Sequence, residues 1–158
     1  MKLYLAGPDV FRPDAEDWAA AARALCAAAG HEALVPLDGG ETTAAGIYRN
    51  NLRLIGSADA VLANLNPFRG AEPDSGTCVE VGYALALGKP VVGYAEALPP
   101  LCERLRAAPG EDGRWRDGAG RTVEDFGLPF NLMLAVPASM VAGGLAEALR
   151  SIGDATDG

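Results

Sequence analysis

Short apolar runs set one helix-length apart constrain this chain more than any other feature of its sequence. They fall at residues 2–6, 33–35, 60–65 and 91–94, with a fainter one at 139–142. The first intervening helix is expected from near Pro13, with Asp14, Glu16 and Asp17 in its opening turn, where acidic groups suit the helix dipole. Gly30 closes it, and Trp18, Ala22, Leu25 and Ala29 share one face. A second helix is expected over 43–57, with Ile47, Asn51 and Leu54 inward. Others follow at 76–87, 97–107 and 145–152, with a helical turn within 128–134. Residues 109–122, rich in glycine and charge, read as exposed loop, and 153–158 as a frayed tail. Strands this apolar are buried on both faces, and their alternation with helices implies a parallel sheet. The expected fold is therefore one α/β domain over 1–152, a doubly wound, Rossmann- or flavodoxin-like sheet of about five mainly parallel strands with helices on both faces. Such sheets bind ligands beyond the carboxyl ends of their strands. Three segments fall there: 7–11, 64–77 and the stretch after Tyr94.

Charge and cysteine usage narrow the functions open to this fold. The 158-residue chain has a net charge of −8, and Lys2 and Lys89 are its only lysines. A nucleic acid polymer is not expected as a partner, because phosphate contacts need basic patches. No apolar run approaches the roughly 18 residues of a membrane span, and the first strand is too short for a signal-peptide core, so a cytoplasmic protein without a membrane partner is expected. Cys26, Cys78 and Cys102 show no CxxC spacing, which suggests buried thiols rather than a disulfide framework or a zinc site. His31 is the single histidine, so a Ser-His-Asp triad would have to use it. Neither GxGxxG nor GxxxxGK[ST] occurs, and no cofactor or metal is expected.

The segment around 64–83 carries the chemistry. Thr77-Cys-Val-Glu80 fits a capping box, in which a glutamate bonds back to the start of its helix. Spacing alone leaves capping and catalysis both open for Glu80. Gly76 and Gly82 would let a ligand approach the backbone, and Asp74 adds a second carboxylate at the same strand–helix junction. A carboxylate held at a helix N-terminus stays ionised, as a nucleophile requires. Residues 7–11 read equally as a tight turn after the strand, with Phe11 offering a stacking ring and Tyr4 a hydroxyl. Residues 126–134 are apolar apart from Asn131 and would cover either the core or an interface.

Four pieces together are recognisable. They are Tyr-Leu-Ala-Gly-Pro at 4–8, Asn-Pro-Phe-Arg-Gly at 66–70, Glu-Pro-Asp-Ser-Gly-Thr-Cys-Val-Glu-Val-Gly-Tyr-Ala at 72–84, and Phe-Gly-Leu-Pro-Phe-Asn-Leu-Met-Leu at 126–134. In them the sequence resembles the nucleoside 2-deoxyribosyltransferase family, in the family's order and over nearly the whole chain. The resemblance implies transfer of 2-deoxyribose between nucleobases in nucleotide salvage, with 2′-deoxynucleosides and free bases as partners. It implies Glu80 as the nucleophile on C1′, Tyr4 as its orienting hydroxyl and Asp74 as the group holding the 5′-hydroxyl. Gly7, Gly76 and Phe11 would lie against the substrate, Phe11 at the base, with Arg69 a base-side or 3′-side contact. Asn131 would reach the site from a neighbouring subunit of a homo-oligomer, a dimer or a multiple of dimers, and Met133 would also contact substrate. Asn51 stands near a position where some members carry an aspartate that handles protons on the base. An amide cannot do this, so the proton donor to the leaving base is unassigned. Two alternatives stay open. One is an N-glycosidic hydrolase of deoxynucleosides or of their 5′-monophosphates, although Asp74 would repel a phosphate. A lysine-decarboxylase-like phosphoribohydrolase also shows Gly-Thr-x-x-Glu, but usually after Gly-Gly, which Pro73-Asp74-Ser75 does not match. The other is a non-catalytic nucleotide-sensing module.

Overall fold

The computed structural model describes residues 1–156, with side chains as far as 152. Five parallel strands form the sheet: β1 (Lys2–Ala6), β2 (Glu32–Leu34), β3 (Ala60–Asn64), β4 (Val91–Ala95) and, last in the chain, Ser139–Ala142. A 3₁₀ turn at Pro8–Phe11 leads from β1 to α1 (Ala15–Ala28). The other elements are α2 (Ala44–Ser57), α3 (Ser75–Ala86), α4 (Leu101–Arg104), β5 (Ala108–Pro109), β6 (Trp115–Arg116) and α5 (Leu132–Ala135). The strand Ser139–Ala142 is then β7, and α6 (Leu145–Thr156) follows it. The sheet order is β2-β1-β3-β4-β7, so the chain leaves β1 in opposite directions toward β2 and β3. That reversal marks the crevice where open α/β sheets take their ligands.

Period-2 alternation divides the core. Leu3 and Leu5 of β1 pack with Ala19, Ala22 and Cys26 of α1 and Ala148 and Leu149 of α6. Tyr4 and Ala6 point the other way, into a layer with Leu54 and Ile55 of α2, Val81 and Ala84 of α3, and Phe130. This alternation puts the Tyr4 ring on the same side of the sheet as α3. The expected doubly wound fold is the observed one.

Several details differ from the sequence reading, each for a local reason. The buried stripe of α1 is Ala19, Ala22 and Cys26, whereas Leu25 and Ala29 are exposed and Trp18 is only partly buried. The expected helix at 97–107 shrinks to the single turn of α4, because Pro99 and Pro100 force extended backbone before it. The loop at 109–122 is partly ordered as the β5–β6 ribbon, with a further bridge from Arg116 to Thr122. Arg114 and Arg116 both pair with Asp112, and Arg121 pairs with Asp117. α6 runs on through Thr156, past its expected end at 152, and residues 157–158 lie outside the described residues. Among the described residues no helix is long and apolar enough to cross a membrane.

Candidate active site

Helices α2 and α3 start side by side at the carboxyl edge of the sheet. A cavity of about 320 Å³ opens between their first turns, within the range of small-molecule sites. Gly7, Val10 and Phe11 after β1, Pro36, Leu37 and Glu41 after β2, and Ile47 and Asn51 of α2 line one part. Asp74, Gly76, Thr77 and Glu80 line the other.

The capping-box reading of Glu80 does not hold. Asp74 is the N-cap of α3, accepting from the Thr77 amide at 2.9 Å and from the Thr77 hydroxyl at 3.2 Å, both on Oδ2. Glu80 stands in the second turn, released from helix duties. Its Oε1 accepts from the Tyr4 hydroxyl at 2.7 Å and from Asn51 Nδ2 at 3.1 Å. Both donors fall on one oxygen, so among the described residues Oε2 has no protein donor. Nor does the helix N-terminus keep Glu80 acidic, as the sequence reading had it. Burial pushes the carboxyl above the usual range, with the Asp74 charge adding to this, while the hydrogen bonds from Tyr4 and Asn51 pull it back. Burial, and after it the Glu80 charge, pushes the Tyr4 phenol far up, so Tyr4 remains a donor. Asn51 spends its amide on Glu80 and leaves Oδ1 buried without a partner. An orphaned acceptor of this kind costs roughly 1–3 kcal/mol, which a ligand hydroxyl would offset.

Asn64 at the end of β3 donates to Asp9 at 2.8 Å and accepts from the Asn66 backbone and side chain at 3.1 and 2.8 Å. Asn66 in turn accepts from the Glu96 amide at 3.0 Å. This chain ties together the ends of β1, β3 and β4. Gly7 is required by close approach: a Cβ there would lie 2.8 Å from both Asn64 Cβ and Asp9 Oδ2. At Gly76 a Cβ would lie 2.9 Å from Asp74 Oδ2.

Of the residues singled out in the sequence, Gly7, Phe11, Asn51, Asp74, Gly76 and Glu80 meet at this cavity, with Tyr4 bonded beneath Glu80. Arg69 is not part of the wall. Its guanidinium lies 5.1 Å from the centre of the Phe11 ring and 4.6 Å from that of Phe68, and these rings stack at 5.5 Å. Asn131 and Met133 are also outside it, in a groove with Glu72, Pro73, Cys78, Gly82 and Leu134. Gly82 therefore faces that groove rather than the cavity. Asn131 caps α5 by accepting from the Met133 amide, and it donates to Glu124 at 2.5 Å. The stretch after Tyr94 does not line the cavity, and His31 precedes β2 at the opposite edge of the sheet. Glu41, Ile47, Pro36 and Leu37 were not foreseen as a wall; the Pro and Gly punctuation around the 36–40 turn was the only signal available.

Known proteins share this sequence pattern and fold. A family model for nucleoside 2-deoxyribosyltransferases matches residues 3–133. A 2-desoxiribosyltransferase from Leishmania mexicana is 37% identical and superposes with a TM-score of 0.81, covering 96% of this chain and 97% of its own. An uncharacterised protein of Schizosaccharomyces pombe is 30% identical over 83% of this chain and 74% of its own length. A CMP N-glycosidase from Clostridium botulinum, 14% identical with a TM-score of 0.54 over 97% of this chain and 98% of its own, shares the fold. The family model spans both helices of the cavity and every strand of the sheet but the last, and this chain belongs to the nucleoside 2-deoxyribosyltransferase family.

Proposed function

We propose that this protein transfers 2-deoxyribose from a 2′-deoxynucleoside to a free nucleobase through a covalent ester on Glu80. The observation that carries the reading is the Glu80 carboxylate at the cavity, with one oxygen fixed by Tyr4 and Asn51 and the other free of protein donors. Oε2 attacks C1′, the bond to the base breaks and its electron pair leaves with the base. A second base then attacks C1′ and returns the carboxylate. Two displacements through an enzyme carboxylate retain the anomeric configuration. Burial of Glu80 favours attack, because a poorly solvated carboxylate gains more by forming the ester. Phe11, held by Phe68 and Arg69, offers its ring to the base. The assay is incubation with deoxyinosine and adenine. The expected product is deoxyadenosine; free deoxyribose alone would mark a hydrolase, and no product a non-catalytic module.

Asp74 sets the choice between nucleoside and nucleotide. Its Oδ1 has no protein partner among the described residues and is available to a 5′-hydroxyl, whereas a 5′-phosphate of about −2 would be repelled. Asp74→Ser keeps a helix-capping hydroxyl. It is expected to weaken nucleoside turnover and to shift the nucleoside-to-monophosphate preference roughly 10- to 100-fold toward the monophosphate. A wild type that already prefers monophosphates would replace this reading with the hydrolase one.

The proposal includes a homo-oligomer with shared sites. Phe126, Met133, Val136 and Val79 are large apolar side chains left exposed, Met133 at 72%. Met133 lines the groove that holds Asn131, and exposed apolar side chains of this kind suit burial against a second copy.

A further inference from the structure

Glycosyl transfer leaves one requirement unmet at this cavity: a proton for the departing base. Asn51 is an amide, and the Tyr4 hydroxyl is committed as a hydrogen-bond donor to Glu80. Asp74 spends Oδ2 on the start of α3, and its Oδ1 is taken by the 5′-hydroxyl in the reading above. One further carboxyl lines the cavity, Glu41, in the turn between β2 and α2. Its carboxylate packs over Gly46 in the first turn of α2.

The position of Glu41 is built into the fold. Gly46 lies in the first turn of α2, is buried, and donates its amide to the Thr43 cap at 3.0 Å. A Cβ on Gly46 would overlap the Glu41 carboxylate and come within 3.0 Å of its Cδ. A helical glycine weakens the helix relative to alanine, and here the space it leaves is filled by the Glu41 head group. The next residue, Ile47, lines the cavity, and one turn later Asn51 reaches Glu80. Along α2 the wall thus runs from Glu41 to the attacking carboxylate.

We propose that Glu41 is the proton carrier for the nucleobase, an inference that rests on the glycosyl-transfer reading above. As the C1′–N9 bond of a purine deoxynucleoside breaks, its electron pair stays on the base. The Glu41 carboxyl delivers its proton to N7, the base leaves as the neutral N7–H tautomer, and C1′ forms its ester with Glu80. The incoming base attacks C1′ through N9 as the C1′–O ester bond breaks, Glu80 leaves with that electron pair and regains its charge, and the N7 proton of the base returns to the Glu41 carboxylate. Protons and charge balance over the cycle, with no co-reactant.

The test compares two donors. 2′-Deoxyguanosine needs a proton on its base to leave, whereas 7-methyl-2′-deoxyguanosine carries a permanent positive charge on the ring and leaves as a neutral base without one. Glu41→Gln is expected to lower kcat on 2′-deoxyguanosine by about 10²-fold or more, the range of general acid catalysis, and on the methylated donor by no more than about threefold. Gly46→Ala, which favours the helix but displaces the carboxylate, is expected to show the same selective loss to a smaller extent. Equal losses on both donors would assign Glu41 to binding or folding and overturn the proposal, as would no loss on either. A wild type that cleaves neither donor would fail the glycosyl-transfer reading itself, and is thereby distinguished from a failure of Glu41 alone.

Discussion

Glu80→Gln is expected to abolish transfer, with a loss on the order of 10⁴-fold or more, while making the protein more stable at pH 8. The loss follows because an amide cannot form the ester, and removal of a covalent nucleophile is among the largest single-residue effects on turnover. The gain follows from the raised Glu80 pKa. Between the ordinary glutamate range and the raised folded value, the folded chain binds more protons than the unfolded chain. Stability therefore falls as pH rises through that window, and above it the buried carboxylate is a standing penalty. Glutamine removes the charge, and its carbonyl still accepts from Tyr4 and Asn51. Thermal unfolding should show a higher Tm for the variant at pH 8 and no difference below the ordinary carboxylate range. Wild type given a deoxynucleoside with little acceptor base should carry a deoxyribosyl adduct on the peptide holding Glu80. An adduct mapped elsewhere, or a variant with lower Tm at pH 8, would make Glu80 a structural group.

The second large effect is expected from mixing two inactive chains. Asn131 lies across α3 from the cavity of its own chain, on the groove beside Met133, so any service it gives to a site must come through a neighbouring copy. Glu80→Ala and Asn131→Ala should each be severely impaired alone. In a mixed dimer one site carries both substitutions and the other neither. Random exchange makes half the dimers mixed, so recovery of about a quarter of wild-type activity is expected. Formation of mixed dimers is checked with differently tagged chains. Mixed dimers that stay at the level of the single variants would confine Asn131 to capping α5 and holding Glu124.

The architecture was legible in the sequence because it is written in local periodicity. Runs such as Val61-Leu-Ala63 and Val91-Val92 are apolar at every position, as strands covered on both faces must be, and helix-length segments lie between them. The expected strand at 139–142 formed over those residues. Boundaries set by proline geometry, as at α4, and the short β5–β6 ribbon were less legible, since two-residue strands leave no period to read.

The residue types for the chemistry were also present in the sequence: two carboxylates at one junction, a tyrosine in the first strand and glycines where a ligand approaches. What each does was decided by packing. Thr77 to Glu80 has the spacing of a capping box, yet Asp74 caps the helix. Glu80 turns to a tyrosine 76 residues away, because the alternation of β1 puts Tyr4 on the α3 face of the sheet. The same burial raises the pKa of Glu80, opposite to what its closeness to a helix start suggested. Glu41 carried no signal beyond the proline and glycines of the turn before it, one acidic residue among many. Only the parallel start of α2 beside α3, and the empty Cβ position of Gly46, put its carboxylate on the wall of the same cavity. Spacing along the chain encodes the elements, whereas the partners of a side chain are set by which faces of those elements are pressed together.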